Sequence, residues 1–381
     1  MLPASNKAAF GLLMLAMLLI NGCGGGMGMA SMPVQAGPTA SFAFIANSEA
    51  GNISAFAIDT SGALFSVPGS PFPAGAGAEF MALDSAHDFL FVANQDANNI
   101  SAFSVDTNSG LLTPVPGSPF PAGRMPHGIA VDPLGKFVFV GNQDDNSVSV
   151  FMINGVDGTL TQVAGSPFGG IDSPFGLAVN PAGTFLYVND LNSNTVSGFL
   201  IDPNTGALIP VPGLMAPTGQ TPIGLAADPN GRFLYVGDHM QNTVSAYSID
   251  SASGSLTRIS GSSATSAGCS ASCHVNPLRL AINPANHVAY VTNVGANSVS
   301  AFSINNGVLS PISTPVPTGQ HPFGLAIDPS GRFLYVVNKV DNSISAFSID
   351  SMTGMLRSLP GSPFPAGRGP VGIVILAKQG G

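Results

Sequence analysis

Short apolar runs recur along the chain at a nearly constant spacing. The run FLFV at 89–92 returns as FVFV, FLYV, FLYV, VAYV and FLYV, and FAFI at 42–45 is its first copy. A short run that is apolar at every position, bounded by turn-forming residues, predicts a strand that is buried on both faces. The residues that close the seven runs are 47, 48, 48, 48, 55 and 45 positions apart, and they are Asn47, Asn94, Asn142, Asp190, Asp238, Asn293 and Asn338.

Each repeat unit predicts four short strands, which we call A to D. Strand A is GIAVDP-like (128–133), and the DPLG-type turn after it has the Asp-Pro-x-Gly pattern of a type I turn. Strand B is the apolar run, and an Asn-rich turn such as 94–98 leads to strand C, ISAFSVD at 100–106. A TG-type turn then leads to strand D. The phrase GSPFPAG (69–75, 117–123 and 361–367, shortened at 165–170) follows strand D and is predicted to be the loop that links one blade to the next.

Four short antiparallel strands in each of seven repeats predict an all-β fold, a seven-bladed β-propeller. The first unit begins at a strand B, and an unmatched strand A stands at 371–376. Pairing that segment with 42–47 completes the first blade and closes the ring without an open edge. We therefore expect one propeller domain over 41–377, followed by a tail at 378–381.

The N-terminal segment is interpreted as an export signal rather than as part of the fold. Residues 8–20 form an apolar run that is too short to span a bilayer, and Ile20-Asn21-Gly22-Cys23 resembles the lipobox of bacterial lipoproteins. This predicts a signal peptide over 1–22, lipidation of Cys23, and a Gly-rich tether over 23–40. The alternative is an ordinary cleaved signal with an incidental cysteine. On the first interpretation the protein is lipid-anchored to the bacterial cell envelope, on its periplasmic or outer-membrane side, and contacts the membrane only through this lipid.

Composition narrows the function classes. The net charge is −9 and the eleven Lys and Arg residues are spread thinly, so a nucleic-acid partner is not expected. The sequence has no GxSxG, HExxH, P-loop or strand-coupled GxGxxG motif, and no EF-hand spacing. We therefore expect no cofactor and no metal, and we expect a monomer.

The repeat GLAxDPxGRFLYVxNxxxNxVSAFSIDxxTGxL, followed by GSPFPAG, resembles the bacterial lactonase-type seven-bladed propellers over residues 41–377. These proteins are often called 6-phosphogluconolactonase-like and are similar to the YVTN-repeat propellers. The resemblance implies a site in the central cleft that uses His, Glu and Arg. The stretch PHG at 126–128 is similar to a family His motif.

Candidate site residues are those that depart from the repeat where strand A begins. Just before strand A the series is Glu79, His127, Phe175, Ile223, Leu278, Phe323 and Val371. Three residues earlier it is Ala76, Arg124, Asp172, Gln220, Val275, Gln320 and Arg368. Convergence at the axis would make Glu79, Arg124, His127 and Arg368 catalytic, with His or Glu moving a proton and Arg holding an anion. Asp172, Gln220, Gln320 and His321 would then bind the ligand. The alternative is that all are ordinary residues of a water-filled pore mouth.

Other polar residues are given structural roles. The Asn and Asp residues of the B–C turns occur in every blade, which indicates a turn requirement rather than a calcium or sugar site. His87, His239 and His287 are expected to be solvated turn residues. Cys269 and Cys273 lie in the one long insertion. With Cys23 lipidated they remain as a pair in an oxidising compartment, which predicts a local disulfide. The alternative is haem attachment through Cys273-His274, but three residues rather than the usual two separate the cysteines.

Two functions remain open from the sequence. One is hydrolysis of a sugar lactone or another small lactone at the axial face. The other is a non-catalytic envelope propeller that binds a protein or ligand through its loops. Export argues against the phosphorylated lactone of central metabolism as the substrate and for another lactone, such as an aldonolactone.

Overall fold

The computed structural model describes residues 38–84, 86–260, 264–265 and 275–378. All regular structure in these ranges is β, in seven sheets. Over the same residues, none of the structure is a helix long and apolar enough to cross a membrane. The signal segment, Cys23, most of the tether, Cys269, Cys273 and the last three residues lie outside the described ranges.

Each sheet is one blade with the strand order A-B-C-D, and every pairing is antiparallel. Strands A to D are, in blade 1, Pro370–Ala377, Thr39–Asn47, Asn52–Asp59 and Leu64–Ser66; in blade 2, Ala78–Asp84, Phe89–Asn94, Asn99–Val105 and Leu112–Pro114; in blade 3, Pro126–Val131, Phe137–Asn142, Ser147–Ile153 and Leu160–Gln162; in blade 4, Pro174–Val179, Phe185–Asp190, Thr195–Ile201 and Leu208–Pro217; in blade 5, Pro222–Ala227, Phe233–Asp238, Thr243–Ile249 and Leu256–Arg258; in blade 6, Pro277–Asn283, Val288–Asn293, Ser298–Asn305 and Val308–Pro311; and in blade 7, Pro322–Ile327, Phe333–Asn338, Ser343–Ile349 and Leu356–Ser358. The predicted seven-bladed propeller is confirmed.

Ring closure is also as predicted. The C-terminal strand 370–377 pairs antiparallel with 39–47, from Ser41 opposite Ala377 to Asn47 opposite Pro370. The A strands of neighbouring blades adjoin around the axis, and the sheets pack face to face through the B and C strands. The apolar runs of strand B are buried on both faces, as their pattern predicts.

The GSPFPAG phrase does more than link blades. Its Phe-Pro pair forms a two-residue strand that returns to strand C of the same blade, at Phe72–Pro73, Phe120–Pro121 and Phe364–Pro365. Its serine oxygen accepts a hydrogen bond from a strand C amide, as Ser70 does from Ala55 at 2.9 Å. Its last glycine then meets the next blade, where Gly75 N–H donates to Asn94 Oδ1 at 3.1 Å. The phrase therefore completes the outer edge of one blade and docks it on the next.

The Asn-rich B–C turns hold the blades together, which confirms their structural role. The first Asn is fully buried, and Asn94 Nδ2 donates to Ser101 Oγ on strand C at 2.8 Å. In six blades the turn ends in an Asn with a positive φ. Its side-chain oxygen accepts a hydrogen bond from a backbone N–H in the linker to the next blade. Asn98 Oδ1 accepts from Met125 N–H at 2.8 Å, and Asn297 accepts from His321 N–H at 2.8 Å. The Nδ2 groups of the buried asparagines are thus occupied by neighbouring side chains, and Oδ1 accepts a backbone N–H in Asn94 and Asn142 but has no partner among the described residues in Asn47, Asn293 and Asn338.

Candidate active site

We call the side of the ring that carries the B–C turns and the blade linkers the upper face. Strand A begins on this face, and its pairing with strand B shifts register within its first four residues in every blade. A β-bulge interrupts the regular alternation of side chains, so it re-aims the residues it contains. The second and third residues of each strand A therefore form two rings around the upper end of the axis.

The ring of second residues contains an acid and an imidazole side by side. Glu79 in blade 2 and His127 in blade 3 are buried, and Glu79 Oε2 lies 2.5 Å from His127 Nδ1. The two atoms are close, although they are not aligned as a hydrogen bond. The other imidazole nitrogen, Nε2, lies 3.2 Å from Gln95 Nε2, and the ring stacks on Phe175 with centroids 4.4 Å apart. The prediction that Glu79 and His127 lie near each other at the axis agrees with this arrangement.

The ring of third residues is glycine in five blades, at 128, 176, 224, 324 and 372. An added Cβ there would lie 2.3–2.7 Å from a carbonyl oxygen of the neighbouring strand A, so glycine lets the inner strands approach closely. Blades 2 and 6 depart from this pattern with Phe80 and Arg279. The Arg279 guanidinium carbon lies 3.8 Å from the centre of the Phe80 ring and 5.3 Å from that of Phe175.

Arg279 is the functional candidate that sequence reasoning missed. Its side chain as a whole is half-buried, but Nε and Nη2 are enclosed and have no hydrogen-bond partner among the described residues. Burial lowers the pKa of Arg279 to about 10, while the charge of Glu79 acts in the opposite direction. The side chain remains a cation at neutral pH. A buried guanidinium with two free donors is prepared to bind an oxygen anion.

Phe80 reaches across the axis from blade 2. Its ring lies 6.0–6.1 Å from the rings of His127, Phe175 and Phe323, which belong to three other blades. Below it, an axial cavity of about 160 Å³ is lined by the third residues and by the apolar fourth residues of the A strands. A cavity of this size is below the range of drug-sized ligand sites. We call the upper end of the axis, where the second residues of the A strands lie, the mouth.

The residue that directly follows strand B on the upper face is polar in five of the seven blades. The seven residues at this position are Ser48, Gln95, Gln143, Leu191, His239, Val294 and Lys339. The prediction that His239 is a solvated turn residue is wrong, because it is half-buried and its Nδ1 lies 3.3 Å from Pro277 O. His321, predicted to be a binding residue, is also half-buried, and its ring stacks on Phe323 at 6.2 Å.

Arg124 and Arg368 form ion pairs away from Glu79 and His127. The Arg124 side chain is 68% exposed, and its Nε lies 2.6 Å from Asp145 Oδ1 in the B–C turn of its own blade. Arg368 is 78% exposed and lies 3.6 Å from Glu49. Both residues stand in the linker before strand A, and each is paired with a carboxylate in the B–C turn of its own blade. The expected convergence of these two arginines with Glu79 and His127 is corrected accordingly.

The remaining predicted binding residues, Asp172, Gln220 and Gln320, lie in the blade linkers of the upper face. Asp172 accepts hydrogen bonds from Ser193 Oγ at 2.7 Å and Asn192 Nδ2 at 3.2 Å, within its own blade. Gln220 and Gln320 are exposed, and the backbone N–H of Gln320 donates to Asp341 Oδ2 at 2.6 Å. Among the described residues, no side-chain hydrogen bond or ion pair joins these three to Glu79, His127 or Arg279.

One family model matches the chain. It describes a lactonase with a seven-bladed β-propeller, and it matches residues 28–124, 118–214 and 179–371. These ranges overlap and together cover most of the chain. No curated protein matches the sequence of this chain.

Solved structures share the fold at low sequence identity. A proposed 6-phosphogluconolactonase of Bacteroides uniformis is 20% identical with a TM-score of 0.77, over 88% of this chain and 99% of that one. A periplasmic gluconolactonase of Pseudomonas aeruginosa is 19% identical with a TM-score of 0.74, over 90% of this chain and 100% of that one. At these identities the likeness is one of fold.

Proposed function

Because the chain belongs to the seven-bladed β-propeller lactonase family, we propose that it hydrolyses a small lactone at the mouth of its central channel. The observation that carries the proposal is the buried Glu79–His127 pair beside a guanidinium with two free donors. The names of the two structural neighbours point to sugar lactones as the substrate class.

His127 is the proposed general base and acid. A small rotation of either side chain aligns Nδ1–H with the Glu79 carboxylate, which leaves Nε2 unprotonated and able to accept a proton. Nε2 now faces the Gln95 amide at 3.2 Å, so a side-chain movement of Gln95 would let a water molecule reach it. Glu79 positions the imidazole and stabilises the imidazolium that forms when His127 takes a proton.

Arg279 is the proposed oxyanion partner. When water adds to the lactone carbonyl, a negative charge develops on the carbonyl oxygen, and a preorganised cation in a water-poor site stabilises that charge most strongly. The Phe80 ring under the guanidinium keeps it in place without consuming its N–H donors.

The reaction is balanced with one water molecule. The water gives its proton to His127 Nε2 as its oxygen attacks the carbonyl carbon. The tetrahedral intermediate then collapses, the bond from the carbonyl carbon to the ring oxygen breaks, and His127 returns the proton to that oxygen. The product is the open-chain hydroxy acid, whose carboxyl group releases its proton to solvent.

The test is the rate of opening of aldonolactones and aryl lactones by the protein and by His127→Gln and Glu79→Gln. We expect kcat to fall about 10²–10⁴-fold in both variants, the usual contribution of acid–base catalysis. His87→Gln is the matched control, because His87 also lies beside a carboxylate, Asp84 at 2.8 Å, but on the opposite face of the ring. Wild-type rates in His127→Gln would refute the assignment. A folded protein with no activity on any lactone would favour the non-catalytic binding role.

A further inference from the structure

We propose that a groove on the lower face of the ring is a second ligand site, which binds a small apolar carboxylate. The lower face is the side opposite the mouth, and it carries the A–B and C–D turns. The groove has a volume of about 460 Å³ and lies where the turns of blades 2, 3 and 4 meet. This volume is within the range of small-molecule sites. The site is separate from the mouth, so the inference does not rest on the proposed lactone hydrolysis.

Contacts between blades hold the walls of this groove in place. Its floor includes Phe137, which is buried at the start of strand B in blade 3. The C–D turn of blade 4 forms one side, and a Cβ on its Gly206 would lie 2.6 Å from the Phe137 ring. His87 closes the blade 2 end, where its Nδ1 lies 2.8 Å from the buried Asp84. A Cβ on Gly155 of blade 3 would lie 2.8 Å from His87 Nε2, so this glycine makes room for the imidazole.

Blade 3 departs from the repeat with two apolar residues that line the groove. Met152 pairs with Phe137, at a position where four other blades have serine. Leu134 is the third residue of the A–B turn that begins at 132, and blades 2, 4, 5, 6 and 7 have only Ala, Asn or Ser there. Met152 is 50% exposed and Leu134 is 64% exposed. Large apolar side chains in place of small or polar ones, on the walls of one groove, indicate a surface that a ligand covers.

The groove also has a cation that the protein leaves unpaired. Lys136 occupies the position of Arg232 in blade 5 and of Arg332 in blade 7. The guanidinium carbons of those arginines lie 5.2 and 4.9 Å from the centre of the phenylalanine ring that follows each of them. Among the described residues, no carboxylate and no aromatic ring holds the ammonium group of Lys136. Apolar walls beside a free cation fit a ligand with an apolar body and one carboxylate.

Carboxylates close to the groove in sequence are engaged by the backbone. Asp132 is buried and accepts the backbone N–H of Lys136 at 2.6 Å. Asp157 and Asp202 accept backbone N–H groups of their own turns, at 3.0 and 2.9 Å. The C–D turns of five other blades begin with Asp, whereas that of blade 3 begins with Asn154. In a chain with a net charge of −9, a lysine that no carboxylate pairs with indicates that its partner comes from the ligand.

The first experiment locates binding by NMR. The methionine methyl groups of the protein are labelled with ¹³C, and 3-phenylpropionate is added as the probe. We expect the Met152 resonance, assigned by its absence in Met152→Ser, to shift and to saturate with a Kd of about 1 mM. Met352, which is 92% exposed in the C–D turn of blade 7, is the internal control and should not shift. An unmoved Met152 resonance at about ten times this concentration, or equal shifts of Met152 and Met352, would overturn the site.

The second experiment tests the ligand class with 3-phenyl-1-propanol, a neutral analogue of the first probe. The ratio of the Kd of the alcohol to that of the carboxylate should fall about two- to fivefold in Lys136→Gln, the usual effect of an ion pair at a protein surface. Arg232→Gln makes the same charge change at the equivalent position of blade 5 and should leave the ratio unchanged.

Met152→Ser tests the apolar wall. It introduces the residue that four other blades have at this position, and it should weaken both probes alike, by about fivefold, because it removes apolar surface from the groove. An unchanged ratio in Lys136→Gln, or an equal fall of the ratio in Arg232→Gln, would overturn the assignment of a carboxylate ligand. Unchanged affinities in Met152→Ser would overturn the groove as the place of binding. None of these measurements depends on lactone hydrolysis.

Discussion

Asp190 offers a test of how the repeat uses its buried polar position. Five blades have Asn at the end of strand B, whereas blades 4 and 5 have Asp190 and Asp238. The Asp190 side chain is 1% exposed, and it accepts hydrogen bonds from Thr195 Oγ1 at 2.9 Å and Ser197 Oγ at 2.6 Å. In blade 3, Asn142 Nδ2 donates to the two equivalent serine oxygens. Asp190→Asn should therefore keep both bonds, with their direction reversed, and remove a buried charge.

The sign of the effect depends on pH. Burial raises the pKa of Asp190 above its ordinary value of 3.8, against the lowering effect of its hydrogen bonds to Ser197 and Thr195. The native state therefore binds this proton more tightly than the unfolded state. The contribution of Asp190 to the free energy of unfolding is therefore fully present below pH 3.8, and it is lost as the pH rises through the pKa of Asp190 in the native state. The Asp190→Asn variant does not lose this stability as the pH rises. It should therefore be more stable than wild type at pH 7 and equally stable in acid.

The expected gain at pH 7 is about 0.5–2 kcal/mol, the usual range for a stabilising consensus substitution. The assay is urea unfolding of wild type and variant at pH 7 and at about pH 3.5, compared by transition midpoint. Asn142→Asp is the reverse control and should lower the midpoint at pH 7 only. A lower midpoint for Asp190→Asn at pH 7, or the same gain at both pH values, would refute the reasoning.

Two further predictions concern the ring itself. Gly128→Ala should destabilise the protein by about 1–3 kcal/mol, because the new Cβ would lie 2.3 Å from Phe175 O. Gly169→Ala is the control: a Cβ there has no atom within 4 Å, so it should change stability by less than about 0.5 kcal/mol. Urea unfolding measures both variants, and equal effects would contradict the close-approach argument. Deletion of residues 370–381 should abolish the folded monomer in size-exclusion chromatography, because it removes the buried Val371, Ile373 and Leu376 and exposes the edge of the strand at 39–47. Deletion of 379–381 alone is the control. A monomeric, folded chain of residues 1–369 would contradict the closure argument.

The sequence predicted the fold well because its signals are local and repeated. The period of the apolar runs, the Asp-Pro-x-Gly turns and the unmatched segment at 371–376 together specify blade number, strand order and closure. The structural use of Asn94 and Asn98 also followed from turn chemistry. The short strand inside GSPFPAG did not, since a Phe-Pro pair has too few residues to produce a β pattern.

The site was predicted only in part, because side-chain direction at a bulge cannot be derived from strand periodicity. Glu79 and His127 stood out as departures from an apolar series. Arg279 lies one position further along, where five blades have glycine, and comparing that column would have found both Arg279 and Phe80. Arg124 and Arg368 looked suitable by charge, but the B–C turns of their own blades provide nearer carboxylates.

Ring closure also determines when the protein can finish folding. The strand at 39–47 pairs with one at 370–377, so these partners are more than 320 residues apart in sequence. Whenever the chain emerges from its N-terminus onward, blade 1 waits for its inner strand until the last segment has emerged. During that interval the edge of 39–47 stays open to other chains, and contacts of such long range form slowly. The last strand to be made is therefore the one that commits the chain to a closed ring.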